Sequence, residues 1–88
     1  MIRRRVTARG LVQGIFFRDT CRREAAGLGV AGWVRNLPDG SVEAVFEGDP
    51  DAVGRMVEWM GRGPSRARVD SVDVEDETPQ GVRGFEIR

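Results

Sequence analysis

The sequence predicts an α+β fold: one antiparallel sheet built from two interlocked β-α-β units, with both helices on the same face. Three observations carry this prediction. Hydrophobic periodicity alternates between about two residues and about 3.6 residues in the order β-α-β-β-α-β, with a short terminal strand after it. The two β-α-β halves are similar in length and plan. Gly and Pro clusters mark the changes of period, which is where a chain must turn. The right-handed crossover rule then limits the strand orders open to two such halves. The sheet face without helices is expected to be at least partly open to solvent.

The first strand is read from Ile2 to Arg9, where Val6 and Ala8 alternate with Thr7 and Arg9. Arg3, Arg4 and Arg5 form a basic triplet that a nucleic-acid patch would also contain. Without interleaved exposed aromatics, the plainer reading is the exposed start of a strand. After a Gly-bounded turn, Phe17, Cys21, Ala25 and Leu28 follow helical spacing, and Arg18, Arg22, Arg23 and Glu24 fall mostly on other faces. Gly27 and Gly29 end this helix. Cys21 invites comparison with cysteine phosphatases, but the Arg that they need six residues on is Gly27 here. It is read as a small core residue.

Val30 to Leu37 is the second strand and Ser41 to Glu47 the third, joined as a hairpin by Pro38-Asp39-Gly40. In the third strand Val42, Ala44 and Phe46 share one face, and Glu43, Val45 and Glu47 share the other. Asp49-Pro50 opens the second helix as an N-cap followed by Pro at the first helical position. Val53, Met56, Val57 and Met60 form its core stripe, and Gly61, Gly63 and Pro64 stop it. Asp51 with Arg55 and Glu58 with Arg62 are i, i+4 pairs, each worth about 0.2–0.5 kcal/mol if formed.

Arg68 to Glu75 is the fourth strand. Val69 is out of phase with Val72 and Val74, which predicts a late start or a bulge. The acidic run Asp73, Glu75, Asp76 and Glu77 lacks a Gly-spaced loop and reads as a solvated strand end in preference to a cation site. Gly84 to Arg88 is a short last strand, with Phe85 and Ile87 expected on the buried side. This layout is the ferredoxin-like split β-α-β-β-α-β sandwich.

Eighty-eight residues suffice for one domain with a single modest core. The 14 basic residues balance 14 acidic ones, so no global field directs the chain to nucleic acid or a membrane. Every basic residue is Arg and His is absent, which removes the commonest general base and metal ligand. The single Cys precludes an internal disulfide and fits a reducing compartment. With no apolar run of membrane-spanning length and no signal-peptide core, the chain is expected to be soluble and cytoplasmic.

The chemistry is expected at Gly10-Leu-Val-Gln-Gly-Ile-Phe-Phe-Arg18. Backbone N–H groups of a turn that feeds a helix N-terminus form an anion site. Arg18 adds a permanent charge and a planar fork of donors. A P-loop NTPase is excluded by the absence of Lys. Routes through phosphohistidine or phosphocysteine lack a nucleophile, and metal-assisted hydrolysis lacks a ligand cluster, so no metal or cofactor is expected. Direct attack by water remains. A phosphate monoester would need a general acid for its alkoxide, whereas an acyl phosphate releases a carboxylate that needs no proton. The amide candidate for holding the water is Asn36, which offers both a donor and an acceptor. Beside Pro-Asp-Gly it reads equally well as an Asx-turn residue.

The Gly10–Arg18 stretch resembles the acylphosphatase signature, and Gly32-Trp-Val-Arg-Asn-Leu-Pro-Asp-Gly-Ser-Val-Glu43 resembles the second motif of that family. The spacing of the two also matches, and the resemblance runs through Phe46-Glu-Gly48 to Phe85-Glu-Ile-Arg88. It implies hydrolysis of acyl phosphates to carboxylate and phosphate by a small, metal-free monomer. By position, Arg18 resembles the phosphate-binding arginine and Asn36 the residue that orients water. The backbone of Gln13, Gly14, Ile15, Phe16 and Phe17 resembles the phosphate cradle. Ile15 stands where Val is usual, a difference of one methylene. The main rival is a ferredoxin-like binding module for RNA or a small anionic metabolite. RNA binding of that type needs exposed strand aromatics, and the candidates are Trp33 and Phe46. A further reading, a regulatory remnant of a larger carbamoyl-transfer protein, sits poorly with so short a chain.

Overall fold

The computed structural model describes residues 1–88. Its elements are β1 (Ile2–Leu11), α1 (Phe17–Gly27), β2 (Ala31–Asn36), β3 (Val42–Gly48), α2 (Pro50–Arg62), β4 (Arg68–Glu77) and β5 (Phe85–Ile87). The sheet order is β4-β1-β3-β2-β5. The four long strands are antiparallel to their neighbours, as the ferredoxin-like layout requires. β5 joins the free edge of β2 in parallel, from Gly32 opposite Phe85 to Val34 opposite Ile87, so the complete sheet is mixed.

The alternation in β1 and β3 sends Val6, Ala8, Val42, Ala44 and Phe46 to the helix side. There they meet Phe17, Cys21 and Ala25 of α1 and Val53, Met56, Trp59 and Met60 of α2. Each large side chain so buried stabilises the fold by about 1.5–3 kcal/mol. Phe17 and Trp59 lock the two helices edge to face, with ring centroids 5.1 Å apart. Phe17 therefore seats the first turn of α1 in the core. Asp49 caps α2 by accepting from the Asp51 N–H, as predicted. The pairs Asp51–Arg55 and Glu58–Arg62 do not form; the intrahelical ion pairs lie on α1, from Asp19 to Arg22 and Arg23.

The expected irregularity in β4 is a bulge. Arg9 faces Ser71, whereas Gly10 faces Val69, which leaves Asp70 as the extra residue. Gly10 adopts φ 134°, and a Cβ there would lie 2.2 Å from the Arg68 carbonyl oxygen. Only glycine fits at this close approach of β1 to the bulged strand, one residue before β1 ends and the candidate turn begins.

The second sheet face is less open than expected. Glu47 is 1% exposed, Arg3 5% and Glu43 9%. Arg3 bridges Glu47 at 3.1 Å and Glu77 at 2.9 Å, and Arg5 bridges Glu77 at 2.7 Å and Glu43 at 3.0 Å. Arg35 closes the row on Glu43 at 2.7 Å. The β4–β5 connection then folds over Glu47, which accepts from the N–H groups of Gln80, Gly81 and Val82 at 2.9, 2.8 and 3.2 Å. The basic triplet is thus built into a carboxylate–guanidinium row on the sheet. Trp33 lies beneath Arg5, Arg35 and Arg88, and Phe46 is buried on the helix side.

Candidate active site

β1 ends at Leu11 and α1 begins at Phe17, so Val12 to Phe16 must reverse the chain. Val12 is buried and anchors the start of this turn. Gln13 braces it, with its side-chain amide donating to the carbonyls of Leu37 and Ser41, both at 2.9 Å. The turn is thereby tied to the β2–β3 hairpin, which carries Asn36. Ile15 packs partly buried against the core. Gly14 and Phe16 both take left-handed backbone conformations, at φ 78° and φ 60°. For Phe16 that conformation costs energy, of order 1–3 kcal/mol, and turns with such residues are the kind whose successive amides can share one anion.

The N–H groups of Gln13, Gly14, Ile15 and Phe16 donate to no backbone carbonyl and no side chain. The first N–H groups of α1 have no intrahelical acceptor, and Phe16 at the N-cap offers no side-chain cap. A row of uncommitted donors thus meets the positive end of a helix dipole, an arrangement suited to an anion.

The turn opens on a cavity of about 330 Å³. Gly14, Phe16, Phe17, Arg18 and Asn36 all line it, so five of the residues singled out from the sequence share one space. Arg18 forms no ion pair, whereas the neighbouring Asp19 is held by Arg22 at 3.2 Å and Arg23 at 2.7 Å. The charge of Arg18 is therefore uncompensated at the cavity. Asn36 ends β2, opposite Val42, and its Oδ1 is buried with no hydrogen-bond partner. The Asx-turn reading of Asn36 does not hold. Asp39 takes that place, accepting from the N–H of Ser41 at 3.0 Å and from its hydroxyl at 2.5 Å. A buried acceptor without a partner costs free energy unless a donor such as water fills it.

Two of the expected cradle members, Gln13 and Ile15, do not line the cavity. Both can still contribute their amides, and Gln13 also acts as the brace. Sequence reasoning missed Val12, Asp19 and Ile87 in the lining. Ile87 was expected on the buried side with Phe85. Phe85 does stack on Phe46, with centroids 5.7 Å apart, but Ile87 is 40% exposed and faces the cavity. Cys21 is fully buried, and desolvation pushes its thiol pKa far up, which makes it inert packing.

Comparison with known proteins places this geometry in a family. The family model described as Acylphosphatase matches residues 4–87. Among curated relatives, an acylphosphatase of Rubrobacter xylanophilus is 59% identical, over 96% of this chain and 77% of its own. One from Aeropyrum pernix is 58% identical, over 100% of this chain and 89% of its own. The crystal structure of acylphosphatase from Bacillus subtilis superposes with a TM-score of 0.95 at 34% identity, covering 100% of this chain and 99% of that one. With a whole-length family match and relatives this similar, the chain belongs to the acylphosphatase family.

Proposed function

We propose that this protein hydrolyses acyl phosphates to carboxylate and inorganic phosphate by direct attack of water. The observation that carries the reading is the pairing, in one cavity, of a free guanidinium on Arg18 with an unpartnered buried acceptor on Asn36. The first suits a bound anion and the second a bound water. The amides of Gln13 to Phe17 and the Arg18 fork hold the phosphoryl oxygens and take up charge in a loose transition state. Asn36 Oδ1 accepts from the nucleophilic water and fixes it in line with the departing carboxylate. A phosphoryl oxygen of the substrate receives the water proton. Protonation of the leaving group is unnecessary because a carboxylate is already a weak base.

The RNA-binding alternative needs aromatic faces on the central strands. Trp33 is 7% exposed and Phe46 is fully buried, which supports a small-molecule substrate instead. The single core cluster of 15 buried residues supports reading residues 1–88 as one domain. No helix is long and apolar enough to cross a membrane. We read the chain as a cytoplasmic monomer that binds no nucleic acid. Phosphate release from benzoyl phosphate and p-nitrophenyl phosphate, each with and without chelator, tests the function. Turnover of the first alone, unaffected by chelation, is expected. Equal turnover of both, or loss on chelation, contradicts it.

A further inference from the structure

We propose that Phe16 and Ile87 form an apolar rim that selects acyl phosphates with a bulky apolar acyl group, aromatic or branched. This rests on the acyl phosphate reading of the same cavity. Once the amides and Arg18 engage the phosphoryl oxygens, the acyl group extends from them toward the exposed part of the cavity lining. Phe16 and Ile87 line the cavity and are 76% and 40% exposed. Neither belongs to the core, where partners would explain an apolar side chain. Phe16 is also the only non-glycine residue with a positive φ, at 60°. A bulky aromatic is a poor choice for that backbone when packing does not require it.

The lining also argues against a charged acyl group. Arg18 is its only cation, and the phosphoryl group engages it. The one carboxylate, Asp19, is already engaged by two arginines, so it is not free to pair with a cationic acyl group. A benzoyl or branched acyl group instead covers exposed apolar surface on two elements that are far apart in the chain. Burying apolar area of both partners is favourable without any directional contact.

The test is the ratio of kcat/KM for benzoyl phosphate over that for acetyl phosphate. It is compared between wild type and two single variants, Phe16→Asn and Ile87→Ser. Asn tolerates the left-handed conformation, so the first variant removes the ring while keeping the turn. The second changes β5 and leaves the turn untouched. Using a ratio cancels general losses of folding or of phosphate binding, and it cancels the difference in intrinsic reactivity between the substrates. We expect the ratio to fall about tenfold in each variant, equivalent to about 1.4 kcal/mol. Ratios within twofold of wild type in both variants overturn the rim while leaving the hydrolytic reading intact. A wild-type protein that hydrolyses neither substrate overturns both.

Discussion

Arg18 and Asn36 divide the proposed chemistry between them. Because Asn36 Oδ1 has no protein partner, its removal leaves the fold's hydrogen bonds in place and takes away only the water's acceptor. Asn36→Ala is expected to lower kcat for benzoyl phosphate by about 10²–10³, the usual effect of losing one positioned polar group. The inhibition constant for inorganic phosphate should stay near wild type. Steady-state kinetics with phosphate as competitive inhibitor separates the two effects. Arg18→Lys keeps a charge but not the planar fork, so both kcat and phosphate affinity should fall, and lysine should not restore wild-type values. The meeting of these two residues in one cavity was legible in the sequence because each sits inside a long motif. The role of Gln13 as a brace was not legible, since its acceptors at Leu37 and Ser41 lie 24 and 28 residues away. Ile87 was misplaced because alternation with Phe85 assumes that a strand is covered along its whole length.

Elements fix how firmly the site is held, and the shortest of them is β5, with three residues. Its approach is fastened by Glu47, which gathers three amides of the β4–β5 connection and the guanidinium of Arg3. The Gln80 amide, then Arg3 and the amides of Gly81 and Val82, hold the Glu47 carboxyl below its ordinary pKa, against the opposing effect of burial. Arg5 and then Arg3 lower Glu77 in the same way. A carboxylate depressed in the folded state contributes stability above its unfolded pKa and loses it as pH falls through the folded one. Urea unfolding should therefore give a free energy that is level down to about pH 4.3, the ordinary glutamate value, and that declines below it. Glu47→Gln takes from Arg3 one of its two carboxylates and from three amides a charged acceptor, and should cost about 1.5–3 kcal/mol at neutral pH. The variant should also lose part of the acid-side decline. A stability equal to wild type at pH 7 would contradict the fastening role. None of this was legible beforehand. Alternation correctly sent Glu43 and Glu47 away from the helices, but which groups would cover them depended on contacts between distant parts of the chain.

At the level of the whole molecule, the fold follows from patterns that act locally. Period, caps and turn residues located the seven elements to within a residue or two, because each reflects a nearby constraint. Asp49-Pro50 starts α2, Pro38-Asp39-Gly40 turns the hairpin, and the out-of-phase Val69 marks the bulge. The parallel docking of β5 was not local and did not show, since a strand of three residues carries too little pattern to reveal its partner. The sandwich brings the end of β1, the start of α1, the end of β2 and β5 to one cavity. The phosphate socket at the base of that cavity is the claim on which the mechanism depends. Its most direct test is a titration of the ¹⁵N-labelled protein with inorganic phosphate, followed by amide chemical shifts. The largest saturable shifts should fall on the backbone amides from Gln13 to Arg18, with a further change at the Asn36 side chain. Shifts centred elsewhere, on the Arg3–Glu47–Glu77 face or along α2, with the turn amides unmoved, would contradict the account.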